Sequence, residues 1–301
     1  MLLVTGIVGC VTNSIILIVF ASYKEMRKHT QFTCLWVLAI FDLMRSVAGL
    51  FYELTDHFVA WGLLQPLTRF TCITIGTLPP FSAEMGLRIL TAIPFDRLLA
   101  AWRPVRYRTV YNHTKRQLTA IALLLAITLI DRVVLLIAQL DDPHRVIDQC
   151  LAARDLYHKW ALKLLIIQRL LSMLLVLIGS ILMLYVMRKK FVNTEQLHGN
   201  ATGAAAFIAA KRRHQEYNNI VLKALLCSLS LFCIPLIVLA IVRVHLPAYV
   251  TAALKLNMLG AQLSCAVNIF IYVGNHADFK HCVRKLFSWP GCGRAETNNP
   301  A

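Results

Sequence analysis

The chain has 301 residues, 58% of them hydrophobic and only 15% charged, with 31 Lys and Arg against 15 Asp and Glu. Soluble domains sit nearer about 45–50% apolar, so this composition excludes an ordinary soluble domain. The net charge of +16 would suit a nucleic-acid binder, but the cations fall mainly in the gaps between apolar blocks, which makes them a topology signal and leaves no nucleic-acid partner expected.

Seven apolar blocks lie at about 2–22, 32–54, 72–103, 117–139, 160–188, 217–243 and 250–274. Each has about the 20 residues that cross a bilayer as helix, and each is too long for a strand. Backbone polar groups cannot go unpaired in lipid, so these blocks are helices. The expected fold is an all-α membrane protein, a seven-transmembrane helix bundle. No basic segment precedes the first block, where the first cation is Lys24. It reads as a span and not as a cleaved leader.

In chain order, helix 1 contains "GCVTNSIILIV" with Asn13, and helix 2 contains "LAIFDL" with Asp42. Arg45 follows three residues later, a spacing that permits a pair within the helix. Helix 3 starts at Cys72, carries Pro79-Pro80, then Glu84 and Arg88 four apart, and closes with "FDRLLAAWRPVRYR". From Cys72 to Arg97 the helix spans roughly 38 Å at about 1.5 Å per residue, so Asp96-Arg97 sits at the opposite membrane face from Cys72. An ion pair at such a boundary either anchors the helix end or holds a packing arrangement that a partner releases.

Helix 4 ends near Asp131-Arg132, which snorkelling to the interface explains. Helix 5 places Arg169 about one-third of the way along without a local acid and ends at Tyr185. Pairing with Glu84 and a role in ligand binding are both open to Arg169. Helix 6 has "FCIP" with Pro235, and helix 7 has "NIFIY" with Asn268 and Tyr272. After it, "NHADFKHCVRKLF" sets Phe279, Val283, Leu286 and Phe287 on one face, the pattern of a short helix lying on a membrane surface. The chain thus divides into a seven-helix bundle over 1–275 and an amphipathic helix with a short tail over 276–301. Cys282 and Cys292 are either acylated there or free thiols.

With the N-terminus outside, twenty Lys and Arg fall on the inner side and seven on the outer, while Arg45, Arg88, Arg132 and Arg169 lie within spans. This positive-inside bias predicts a multi-pass plasma-membrane protein with a cytoplasmic C-terminus. The sequons at Asn112 and Asn200 then face the cytosol and stay unglycosylated. Cys72 and Cys150 are the two cysteines on the oxidising side, where they either form a disulfide or remain two thiols. Cys-x-x-Cys, His-Glu-x-x-His, phosphate-loop and Gly-x-Ser-x-Gly patterns are absent, so no enzyme activity, catalytic residue, cofactor or metal is expected.

The ordered set of Asn13, Asp42, Cys72, "FDRLLAAWRPVRYR", Tyr185, Pro235 and "NIFIY" resembles the rhodopsin-like G-protein-coupled receptors over nearly the whole chain. "DRLLAAWRPVRYR" with "NIFIY" looks most like the nematode serpentine chemoreceptors of the SX class. The resemblance implies a receptor that transduces an extracellular small organic or peptide ligand to a heterotrimeric G protein across the lipid bilayer. It implies that Arg97, beside Asp96, is the activation-switch arginine and Asp42 the buried helix-2 carboxylate. Asn268 and Tyr272 would form the helix-7 switch, Tyr185 would meet them on activation, helix 6 would swing on Pro235, and Cys72–Cys150 would be the outer disulfide. The chain departs from the pattern at Leu98, at Ile269 in place of the helix-7 proline, and at Cys233 in place of the helix-6 tryptophan. Helix 4 has no tryptophan and helix 5 no proline.

Amine receptors of this kind carry an aspartate eighteen residues before the switch arginine, and that position here is Pro79. Proline cannot anchor an ammonium, and it predicts a kink in helix 3. Arg45, Arg169 and Lys255 against the single acid Glu84 predict a pocket suited to a neutral or acidic ligand, since an arginine fork matches carboxylate or phosphate-like groups. The chemosensory reading is favoured. A neuropeptide receptor of the same fold is the alternative, and a transporter or channel with charges along a pathway the more distant one.

Overall fold

A computed structural model of the chain describes residues 1–23, 33–65, 67–102, 107, 114–137, 146–147, 159–197, 222–223, 226–227, 230–231, 234–242, 245–275 and 277–287. Five long helices carry the first five apolar blocks: α1 Leu2–Ser22, α2 Thr33–Ala60, α3 Arg69–Trp102, α4 Thr114–Ile137 and α5 Lys159–Leu197. The sixth block, α6, is helical at every described residue from 222 to 245. A short 3₁₀ turn, Pro247–Tyr249, leads into α7 Val250–Asn275, and α8 Ala277–Phe287 follows. Stretches within α1, α2, α4, α5 and α7 are each long and apolar enough to cross a membrane. The exposed side chains Leu123, Ile130 and Val134 of α4 and Leu171, Ile178 and Ile181 of α5 are what a lipid-facing surface requires, because the solvent there is itself apolar.

α1 packs between α2 and α7, while α3 packs against α2, α4 and α5. Close approach depends on small residues, as is usual where packing and not the hydrophobic effect holds membrane helices together. A Cβ added at Gly9 would lie 2.4 Å from the Ser46 hydroxyl, and one at Gly49 would lie 2.3 Å from the Gln262 amide nitrogen. The latter amide reaches across to α1, where the Thr5 hydroxyl donates to Gln262 Oε1 at 2.7 Å.

α3 remains helical through Pro79, Pro80 and Pro94. Prolines remove backbone donors inside the helix, and local side-chain hydroxyls bond neighbouring backbone carbonyls there. Ser82 lies 3.0 Å from the carbonyl oxygens of both Leu78 and Pro79. The start of α3 is preceded by a two-residue strand, Leu67–Thr68, paired antiparallel with Val146–Ile147. α8 is anchored by its first turn: buried Phe279 meets Tyr272 of α7 edge-on at 5.7 Å and Phe20 of α1 at 6.0 Å between centroids. Lys280, Arg284 and Lys285 are exposed, and so is Phe287, at the last turn.

Candidate functional site

Among the described residues, three clusters of charged side chains interrupt the apolar interior. The first closes the far end of α3. Asp96 and Arg97 are consecutive, and the Arg97 guanidinium donates to Asp96 Oδ2 at 2.6 Å. The Tyr107 hydroxyl completes the arrangement, donating to the Asp96 carboxylate, whose two oxygens both lie at 3.0 Å, and accepting from Arg97 at 3.3 Å. Arg97 and Tyr107 are buried, with Asp96 more open at 24% side-chain exposure. Burial foremost, aided by the neighbouring carboxylate, pushes the Tyr107 phenol up to about 12, although Arg97 pulls the other way. The group therefore stays a neutral donor at any physiological pH. Charge-assisted bonds of this kind are roughly twice as strong as neutral ones. Tyr107 was not singled out in the sequence, although it stands within the basic stretch "VRYR" that follows Pro104. The neighbouring Arg103, Arg106 and Arg108 lie outside the described residues.

The second cluster joins α1, α2 and α7. Asp42 is buried, and the Asn268 amide donates to its Oδ2 at 2.7 Å while the Cys265 sulfur lies 3.3 Å from its Oδ1. Asn13 donates to the Cys265 carbonyl at 3.2 Å and to the Gly9 carbonyl at 2.8 Å. Arg45, one turn along α2 and electrostatically coupled to Asp42, reaches the Ala261 carbonyl at 3.2 Å and the Ser264 hydroxyl at 3.5 Å. Gly86 of α3 leaves room for this guanidinium, since a Cβ there would lie 3.0 Å from one of its nitrogens. Tyr272 is buried one turn beyond Asn268, against Phe279.

The third cluster lies between α3 and α4. Glu84 pairs with Arg132, and Arg88 pairs with Asp131. Asp131 also accepts from the Gln168 amide of α5 at 2.9 Å, and Arg132 lies 3.5 Å from the Pro80 carbonyl. The spacing of Glu84 and Arg88 permits a pair within α3, yet both side chains cross to α4 instead. Arg132 does not snorkel to the interface: it is buried, because Glu84 supplies an opposite charge at the same depth.

The remaining expected residues are spread over the molecule. Arg169 is half-buried on α5, Lys255 is exposed near the start of α7, and Tyr185 is 63% exposed on α5. Arg45 and Glu84 are engaged by different helices, α7 and α4 respectively. Pro235 is buried on α6 and faces Gly260 of α7, where an added Cβ would lie 2.9 Å from the proline ring and 2.2 Å from the Leu231 carbonyl oxygen. Cys72 is fully buried, and Cys150 lies outside the described residues. Among the described residues no group of His, Cys, Asp and Glu has the arrangement of a metal site.

A bundle of helices of this length and apolarity, holding its charges in inter-helical pairs, defines a multi-pass membrane protein. The 7 transmembrane receptor (rhodopsin family) profile matches residues 12–272, and the chain belongs to that family of receptors. No curated protein matches the chain significantly.

Proposed function

We propose that this receptor carries a signal from an extracellular chemical ligand to a heterotrimeric G protein, with its N-terminus outside and its C-terminus in the cytosol. The observation that carries the reading is the Asp96–Arg97–Tyr107 cluster at the end of α3, with Arg97 and Tyr107 buried. Arg97 is the switch: while Asp96 and Tyr107 hold it, its guanidinium is unavailable, and release offers a cation to the C-terminal helix of the G protein. Asp42, Asn268 and Tyr272 form the linkage along α7, and Pro235 is the pivot of α6. Tyr185 joins them by turning inward from its exposed position. The bundle over 1–275 carries this machinery, and the amphipathic helix and tail over 276–301 follow it on the cytosolic side.

Cys72 bonded to Cys150 caps the outer face. In support, Cys72 is buried, and Thr68, four residues before it, pairs with Val146, four residues before Cys150. The ligand is a neutral or acidic organic molecule, or a peptide presenting a carboxylate, of the kind a chemosensory receptor detects. Pro79 removes the ammonium anchor, and the cationic side chains of Arg45, Arg169 and Lys255 suit a carboxylate-bearing group.

Arg97→Ala tests the reading. Surface level and ligand binding persist while G-protein activation is lost; activation equal to wild type overturns the assignment.

A further inference from the structure

α3 and α4 run antiparallel and meet through four charges whose order carries information. On α3 an acid, Glu84, precedes a base, Arg88, by four residues, or about 6 Å along the axis. On α4 the acid Asp131 and the base Arg132 are adjacent, and the pairs formed are Glu84–Arg132 and Arg88–Asp131. A slide of one helical turn, about 5.4 Å, is a known mode of helix movement. If α3 slid toward its Trp102 end, Glu84 would arrive where Arg88 now stands and face Asp131. If it slid toward its Arg69 end, Arg88 would arrive where Glu84 now stands and face Arg132. Either slip opposes like charges, one of them buried: Glu84 against Asp131 or Arg132 against Arg88. Two pairs with the same sign at both α3 positions would instead tolerate such a slip.

We propose that this quartet is a register lock that fixes the axial position of α3 against α4, and that Glu84, Arg88, Asp131 and Arg132 are positioning residues for everything α3 carries. Gln168 extends the lock to α5 through its bond to Asp131. The lock does not depend on what the protein binds or couples to. Its consequence for the receptor is that Arg97, on the same helix, keeps its depth in the membrane, so α3 signals by rotation or tilt and not by sliding.

The test separates the sign pattern from pairing as such. Exchanging one pair, Glu84→Arg with Arg132→Glu, preserves both contacts in the native register. It also makes both slipped registers attractive, since residue 84 could then meet Asp131 and Arg88 could meet residue 132. Adding Arg88→Asp with Asp131→Arg restores the alternation and hence the lock. Register is read on the full-length receptor by bridging Met85→Cys to Thr128→Cys with dibromobimane. The native side chains at these positions are in contact, with Thr128 Oγ1 at 3.2 Å from Met85 Sδ, and single-cysteine controls set the background. The expected result is a several-fold loss of bridging in the one-pair exchange and its return in the two-pair exchange. Equal bridging in all three backgrounds, or loss in both exchanges, overturns the proposal. Should the exchanged chains fail to reach the membrane, the quartet Glu84→Leu, Arg88→Leu, Asp131→Leu and Arg132→Leu supplies the same information: it also lacks the lock and should lose bridging. Wild-type bridging there refutes the lock equally.

Discussion

Tyr107→Phe removes one oxygen and leaves the ring, so its effect isolates the hydroxyl that spans Asp96 and Arg97. The atom lost donates to a carboxylate whose oxygens lie at 3.0 Å and accepts from a guanidinium at 3.3 Å. A hydrogen bond to a charged group contributes about 1.5–3 kcal/mol. Asp96 is 24% exposed, so water recovers part of the loss there, and the lower figure applies. If the cluster holds Arg97 only in the resting state, the resting form loses about 1.5 kcal/mol relative to the active one, and the population ratio shifts by about tenfold. The assay is ligand-independent nucleotide exchange on a heterotrimeric G protein, normalised to surface receptor. A several-fold rise in basal exchange is expected. Basal exchange unchanged at equal surface level would show that Tyr107 does not restrain the switch, and the reasoning would fail.

Glu84→Ala leaves Arg132 buried without its acid and should destabilise the protein by about 3–5 kcal/mol, measured as loss of thermal stability in detergent; Glu84→Leu with Arg132→Leu should recover most of it. Gly260→Ala places a Cβ 2.2 Å from the Leu231 carbonyl oxygen, which forces α6 and α7 apart, and overpacking of about 1–3 kcal/mol should appear as a lower melting temperature with weakened ligand response. Phe279→Ala deletes the ring that joins α8 to Tyr272 and Phe20; a cost of about 3–5 kcal/mol should show as raised proteolysis after α7. The Tyr107 proton is held more tightly in the folded state, so its contribution is complete below the ordinary tyrosine pKa of about 10 and fades as pH rises through about 12. Thermal stability from pH 7 to 9 should therefore be the same in wild type and Tyr107→Phe apart from a constant offset.

The helices of the bundle were legible because lipid imposes a length and a composition on any element that crosses it, and the helix after α7 through its one-sided apolar pattern. Asp42 and Asn268 were legible through the receptor resemblance, and they meet at 2.7 Å. What the sequence did not show was which helix each charge would face. Glu84 and Arg88 stand four apart, a spacing that satisfies an intrahelical pair and an inter-helical one equally well. Only the approach of α4 decides, and it carries an acid and a base at matching depth. Arg132 read as a snorkelling side chain for the same reason. Tyr107 escaped notice because a tyrosine in a basic stretch has no periodicity to mark it; its role depends on its hydroxyl meeting Asp96, eleven residues earlier. The small residues Gly9, Gly49 and Gly260 carry no chemical signal at all, and their function is visible only as the absence of a clash.

The measurement that bears most directly on the receptor reading is nucleotide exchange by a purified heterotrimeric G protein mixed with the full-length chain in lipid nanodiscs. The Tyr107→Phe background raises the signal without requiring a known ligand. Exchange faster than with empty discs, and abolished when Arg97→Ala is added, is the predicted result. No acceleration in either background, together with ion flux through the same protein in G-protein-free vesicles, would contradict it.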